Sequence, residues 1–156
     1  MAKQKKQAAD KPEGRKEPAR VVREQAWQTV IVPTIVRREA REFLTIGQYV
    51  HVTDFVKQLT GFGSRRYDRT ICIAPIDEFW ELKEKGGMLG KINVRIYFAF
   101  LKESNEIAIL HAYKKEDDAQ VHPSVLLLVR QRCRRFVSGE LRDGAVTYKG
   151  PHEASW

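Results

Sequence analysis

Residues 91–115 read KINVRIYFAF (91–100), LKESNE (101–106) and IAILHAYKK (107–115). Two apolar runs flank a short polar turn, the pattern of a β-hairpin. Isolated polar residues sit inside the runs: Arg95 and Tyr97 in the first, His111 and Tyr113 in the second, with Lys114 and Lys115 directly after. An arginine in the middle of an apolar strand is costly to bury unless it is paired. Arg95 therefore calls for a partner or a task.

Alternation places Arg95 and Tyr97 on one face and Val94, Ile96, Phe98 and Phe100 on the other, toward a helix-covered core. By the same rule His111 and Tyr113 share a face with each other and with Ile109. Whether the two polar faces coincide depends on the turn. An odd-length turn sets Arg95 opposite Tyr113 and His111 near Tyr97. An even-length turn sets Arg95 near Lys114 and sends His111 inward, because one residue of slip reverses every side chain. The odd form is favoured, since it keeps histidine and tyrosine off the apolar face. It gathers Arg95, Tyr97, His111 and Tyr113 on one concave surface. Plainer readings stand beside this one: Arg95 paired structurally with Glu81 or Glu103, His111 as a satisfied sheet histidine, and the tyrosines as packing aromatics.

Outward from the hairpin, residues 27–32 (WQTVIV) form a β-branched strand that Pro33 ends. A helix follows with Val36, Ala40, Phe43 and Leu44 on one face, and Gly47 is its expected stop. A second helix carries Val52, Phe55, Val56 and Leu59 at i, i+3, i+4 and i+7, and ends at Gly61 and Gly63. The connector SRRYDR (64–69) offers Arg65 and Arg66 to a phosphate backbone and Tyr67 to a base. Strands are expected at TICIA (70–74), interrupted by Pro75, and at EFWELK (78–83), with Gly86 and Gly87 turning the chain. Past the hairpin, His122-Pro123-Ser124 opens a last helix whose apolar stripe is Val125, Leu126, Val129, Cys133, Phe136 and Val137. Short-linked strands with segregated helices predict an α+β fold: a small antiparallel sheet packed against a helix hairpin and a C-terminal helix. The folded domain spans 25–143, and 144–156 reads as an irregular tail.

The 156 residues carry 28 Lys and Arg against 20 Asp and Glu, a net charge of +8. Such an excess points to a polyanionic partner, nucleic acid first and an anionic membrane surface second. Residues 1–24 are basic and have almost no large apolar residue before Val21, so a disordered tail is expected. No run of ~18 apolar residues marks a transmembrane helix, and the charged N-terminus lacks the apolar region of a secretory signal. A cytoplasmic protein without a membrane partner follows. Cys72 and Cys133 are expected as reduced, buried thiols. His51, His122 and His152 have no ligand-like spacing, so neither a metal nor another cofactor is expected.

Taken together, Trp80-Glu81-Leu82, a glycine turn, Arg95 in its apolar strand, Leu110-His111-x-Tyr113-Lys114-Lys115 and a proline-initiated helix resemble the RelE/ParE toxin superfamily. The likeness covers roughly residues 70–140 and is greatest to the HigB-like, phage-derived branch. The acidic run Glu116-Asp117-Asp118 departs from that pattern. The resemblance implies a RelE-like α+β toxin with a cognate antitoxin, a small helix-turn-helix protein. It implies growth arrest through translation inhibition, by metal-independent endoribonuclease cleavage of mRNA on the ribosome. The ParE branch instead poisons gyrase, and other members are non-catalytic RNA- or protein-binding modules. For RNA cleavage Arg95 would hold the scissile phosphate and His111 or Tyr113 would transfer protons, making these three the catalytic candidates. Lys83, Tyr97, Lys114, Lys115, Arg65 and Arg66 are the RNA-binding candidates.

Overall fold

The computed structural model describes residues 27–62, 71–116 and 121–150. The basic tail, Arg65 and Arg66, and the acidic residues Asp117 and Asp118 lie outside the described residues. The elements run β1 (Thr29–Val32), α1 (Thr34–Phe43), α2 (Ile46–Gln58), β2 (Cys72–Ile76), β3 (Phe79–Glu84), β4 (Val94–Leu101), β5 (Glu106–Lys114), α3 (Pro123–Val137) and β6 (Val146–Lys149). One sheet of six strands, in the order β2-β3-β4-β5-β1-β6, organises the chain. β1 runs parallel to β5 and every other pairing is antiparallel. The class is α+β, as the sequence predicts.

Each face of the sheet is buried by helices. On one side Val36 of α1 and Val52 of α2 pack with Leu82, Ile96, Phe98 and Ile109 of the sheet. On the other, Val129 and Phe136 of α3 pack with Phe79, Tyr97, Ala108 and Leu110. Strands covered on both faces read as apolar runs rather than as clean alternation, which is why β4 and β5 look as they do. Among the described residues no helix is long and apolar enough to cross a membrane.

Several boundaries differ from the sequence expectation for local reasons. Gly47 lies inside α2 and stops nothing. Thr45 caps α2: its hydroxyl accepts from the Gln48 N–H at 3.2 Å, and the Gln48 side chain accepts from the Thr45 N–H at 3.0 Å. Pro75 lies within β2, opposite Trp80. β2 is an edge strand, where a missing N–H is tolerated. The supposed irregular tail contains β6, which pairs with β1 from Thr29↔Lys149 to Val32↔Val146. Tyr148 of β6 packs on the core beneath the helix hairpin, whereas Thr147 and Lys149 are exposed. Four alternating residues are too short a signal to stand out in sequence. The Arg37 side chain and the Thr34 hydroxyl both donate to the Gly144 carbonyl, at 2.5 and 3.2 Å, and bring the chain back to this edge. Cys72 is exposed rather than buried and Cys133 half-buried, both as free thiols. Val137 is 64% exposed and falls outside the α3 stripe, where Arg132 is buried instead.

Phe136 is fully buried, and the Arg142 guanidinium sits 4.3 Å from its ring centre. It anchors the C-terminal half of α3. Phe136→Ala is expected to cost about 3–5 kcal/mol, the range for truncating a buried phenylalanine. Urea unfolding measures this, and a loss below about 1 kcal/mol would show that α3 is held by other contacts.

Candidate functional site

The β4–β5 hairpin has an even turn. Leu101 pairs with Glu106, leaving residues 102–105 between them, with Asn105 in the left-handed region at φ 53°. Unbroken, that turn would carry Tyr97 opposite Leu110. A β-bulge intervenes: Phe98 pairs with Ile109 but Tyr97 with His111, so Leu110 has no opposite number. The extra residue shifts pairing by one position. Arg95 thereby meets Tyr113 and Tyr97 meets His111, the arrangement expected of an odd turn but reached by another route. Because of the bulge Ile109 does not share the face of His111 and Tyr113. Ile109 faces the helix hairpin, and Leu110 packs beneath α3.

Directly opposed residues share a face, so the pairings define two rows. The first is Cys72, Lys83, Arg95 and Tyr113, and the second is Ala74, Glu81, Tyr97 and His111. Arg95 is 9% exposed. Its Nη1 donates to the Asn93 side chain and to the Val94 carbonyl at 3.3 Å. Its Nε has no hydrogen-bond partner and lies 3.6 Å from Glu81 Oε2. The same carboxylate oxygen accepts from the Tyr97 hydroxyl at 2.8 Å. Tyr97 is completely buried. Burial, reinforced by the bonds to Tyr113 and Glu81, pushes its hydroxyl far above the ordinary tyrosine range, so it stays protonated. The Tyr97 hydroxyl has one hydrogen, and Glu81 takes it. At the 3.4 Å contact with Tyr113 the Tyr113 hydroxyl is then the donor. The rings of Tyr97 and His111 each lie nearly parallel to Tyr113, at 5.9 and 5.3 Å.

A second cluster closes the edge of β5. β1 pairs with β5 only from Glu106 to Ala108, which leaves backbone groups farther along β5 without a strand partner. Side chains from both helical layers meet them. Arg132 of α3 donates to the Leu110 carbonyl at 2.9 Å, and the Ala112 N–H donates to Glu39 of α1 at 3.3 Å. Arg132 and Glu39 join in a two-pronged ion pair, at 2.9 and 2.7 Å. His111 Nδ1 adds contacts of 3.0 and 3.1 Å to the two Glu39 oxygens. Burial alone would raise the Glu39 carboxyl, but the bonds from His111 and Arg132 outweigh it and hold the group below the usual carboxylate range.

Of the residues singled out from sequence, the fold brings Arg95, Tyr97, His111 and Tyr113 together on one face, with Lys83 in the Arg95 row. That face is not an open concave surface, because α3 covers much of it. Tyr97 is a packing aromatic with no access to RNA, which removes it from the binding set. Lys114 pairs opposite Val94, on the helix-hairpin face, and lies 3.7 Å from Glu116. The half-buried Lys115 uses its backbone N–H to bond the Asn93 carbonyl at 2.8 Å. Glu81, not Glu103, is the counter-ion of Arg95. Sequence reasoning missed Glu39 and Arg132. Arg132 had a signal, since it stands three residues after Val129 and four before Phe136 in the buried stripe of α3. Glu39 had none, because its partners lie 72 and 93 residues away.

No family model matches the chain, and no curated protein or solved structure is significantly similar to it.

The lowered Glu39 carboxyl makes the edge cluster acid-sensitive. In the unfolded chain Glu39 titrates near its ordinary 4.5, and in the fold it titrates lower. Its contribution is therefore complete above about pH 5 and fades as acid protonates the folded carboxylate. The stability gap between wild type and Glu39→Gln, read by urea unfolding, is expected to shrink as pH falls below about 5. A gap that does not shrink in acid would contradict the lowered carboxyl.

Proposed function

We propose that this chain is the toxin of a type II toxin–antitoxin pair, a RelE-like, metal-independent endoribonuclease that cuts ribosome-bound mRNA. One observation carries the reading: a lysine, an arginine and a tyrosine, Lys83, Arg95 and Tyr113, stand in one cross-strand row with His111 stacked on the tyrosine. The net charge of +8 suits a polyanionic substrate.

In this reading Arg95 binds the scissile phosphate through Nε and the rest of its fork, displacing its weak contact with Glu81. A guanidinium matches phosphate geometry and neutralises the charge that builds on the phosphorane. Neutral His111 takes the proton of the attacking 2′-hydroxyl. The 2′-oxygen bonds to phosphorus, the bond to the 5′-oxygen breaks, and Tyr113 supplies the proton that the leaving oxygen needs. Lys83 and Lys115 steer the backbone, joined by Lys114, Arg65 and Arg66. The cognate antitoxin is a small helix-turn-helix protein, and the site of action is the cytoplasm.

The test is induced expression with growth as the readout. Arg95→Ala is expected to abolish growth arrest. Truncation also leaves Glu81 without its counter-ion, so Arg95→Lys is the companion variant: it keeps the charge and loses the planar fork. Arg95→Lys is expected to fold and to lose at least about 100-fold in cleavage of RNA, as loss of a transition-state contact does. Full toxicity in a folded Arg95→Lys chain would refute the assignment.

A second reading has its own support. Arg95 is almost wholly buried with a carboxylate beside it, which suits a non-catalytic module of the same fold, either a gyrase poison or a binding protein. RNA from induced cells separates the two. New mRNA ends at codon-linked positions are expected for the nuclease, whereas intact mRNA with DNA damage would favour a gyrase poison.

A further inference from the structure

His111 Nδ1 has three neighbours: the two oxygens of Glu39 at 3.0 and 3.1 Å, and Nη1 of Arg132 at 3.4 Å. Counting hydrogens decides which contacts are bonds. Nη1 of an arginine carries two hydrogens. In Arg132 one points to Glu39 Oε1 and the other to the Leu110 carbonyl, each at 2.9 Å. None remains for His111. An ionised carboxylate can only accept, so Nδ1 must carry the hydrogen that joins it to Glu39. A neutral imidazole holds one ring hydrogen, which leaves Nε2 as the acceptor. The ring plane is fixed separately, by Tyr113 stacked 5.3 Å away at 11°.

We infer that Glu39, locked in place by Arg132, is a positioning residue that holds His111 in its Nδ1-protonated form and presents Nε2 for proton exchange with an RNA substrate. The RNA substrate rests on the ribonuclease reading; the tautomer does not. Among the described residues, Glu39 from α1, Arg132 from α3 and Tyr113 on the same strand meet the ring, and Tyr97 of β4 pairs opposite it. Glu39 and Arg132 come from opposite sides of the sheet, so packing of both helical layers sets the orientation of one imidazole. A carboxylate behind the distal nitrogen fixes tautomer and direction together.

The experiment is long-range nitrogen–proton NMR on the full chain labelled at histidine, recorded at a pH where His111 is neutral. Wild type is expected to show His111 protonated at Nδ1. Glu39→Gln replaces an acceptor oxygen with an NH₂ group and is expected to shift His111 mainly to the Nε2-protonated form. Glu39→Asp, which keeps the charge, is expected to retain the Nδ1 form. A wild-type Nε2–H signal, or a tautomer unchanged in Glu39→Gln with an otherwise native spectrum, overturns the positioning role. On an RNA substrate Glu39→Gln is expected to lower kcat by about 100-fold or more, since a base in the wrong tautomer forfeits its contribution, with KM within about twofold. A change confined to KM would also overturn it. Absence of cleavage by the wild-type chain overturns the ribonuclease reading and the link to RNA with it, and the tautomer measurement still decides whether Glu39 positions His111.

Discussion

One extra residue in β5 governs the arrangement of everything near it. Leu110 has no partner across the hairpin, and its insertion converts an even turn into the pairing of an odd one. Without that shift, His111 and Tyr113 would be directed toward the helix hairpin, among Val36, Val52 and Ile96. With it, Leu110 fills the space beneath α3, His111 lies beside Tyr97, and Tyr113 comes opposite Arg95. Past the end of β1, Arg132 reaches the Leu110 carbonyl and Glu39 the Ala112 N–H, so side chains from two helices stand in for a strand partner.

Those side chains solve an edge problem and a burial problem together. An uncovered strand edge invites pairing with another chain. β1 is too short to cover β5 to its end, and Glu39 and Arg132 occupy the uncovered stretch instead. Each of these charges would be costly alone, Arg132 buried and Glu39 half-buried; paired and bonded to the backbone, both are tolerated. Two apolar side chains could fill the same volume, but they would leave the buried Leu110 carbonyl and Ala112 N–H unpaired. The distinguishing feature of the pair is connection. Glu39 belongs to one helical layer and Arg132 to the other, and they meet around the strand that carries His111.

The sequence was informative where periodicity was long and poor where geometry depended on single residues. The eight residues of β4 and the fifteen of α3 announced themselves through their apolar patterns. The grouping of Arg95, Tyr97, His111 and Tyr113 followed from alternation plus the cost of burying polar groups. The bulge that produces the grouping was not legible, because nothing about Leu110 distinguishes it from its apolar neighbours. Nor was the burial of Tyr97 legible, since that depends on α3 lying across the strand. Glu39 reads as one more charge on a basic helix until its distant partners are known. β6 was missed because four residues carry too little pattern, and because its pairing with β1 spans almost the whole chain.

The charges around the candidate site form two closed pairs, Arg95 with Glu81 and Arg132 with Glu39, separated by the rings of Tyr97, Tyr113 and His111. Each pair is nearly neutral from a distance. A polyanion approaching this face is therefore not drawn by the buried arginines. Its attraction must come from charges without a close carboxylate, of which Lys83 is the one built into the Arg95 row, with the general excess of +8 behind it. Lys114 adds little that is specific, since its contact with Glu116 is exposed and such surface pairs are weak. The Glu81 contact at 3.6 Å is long for a hydrogen bond, which leaves Arg95 Nε without a direct acceptor; in the proposed reading a phosphate oxygen would supply one. In the proposed ribonuclease reading, long-range attraction and close grip would fall to different residues: the half-buried Lys83 and the overall positive charge would draw the RNA, and the buried Arg95 would hold its phosphate.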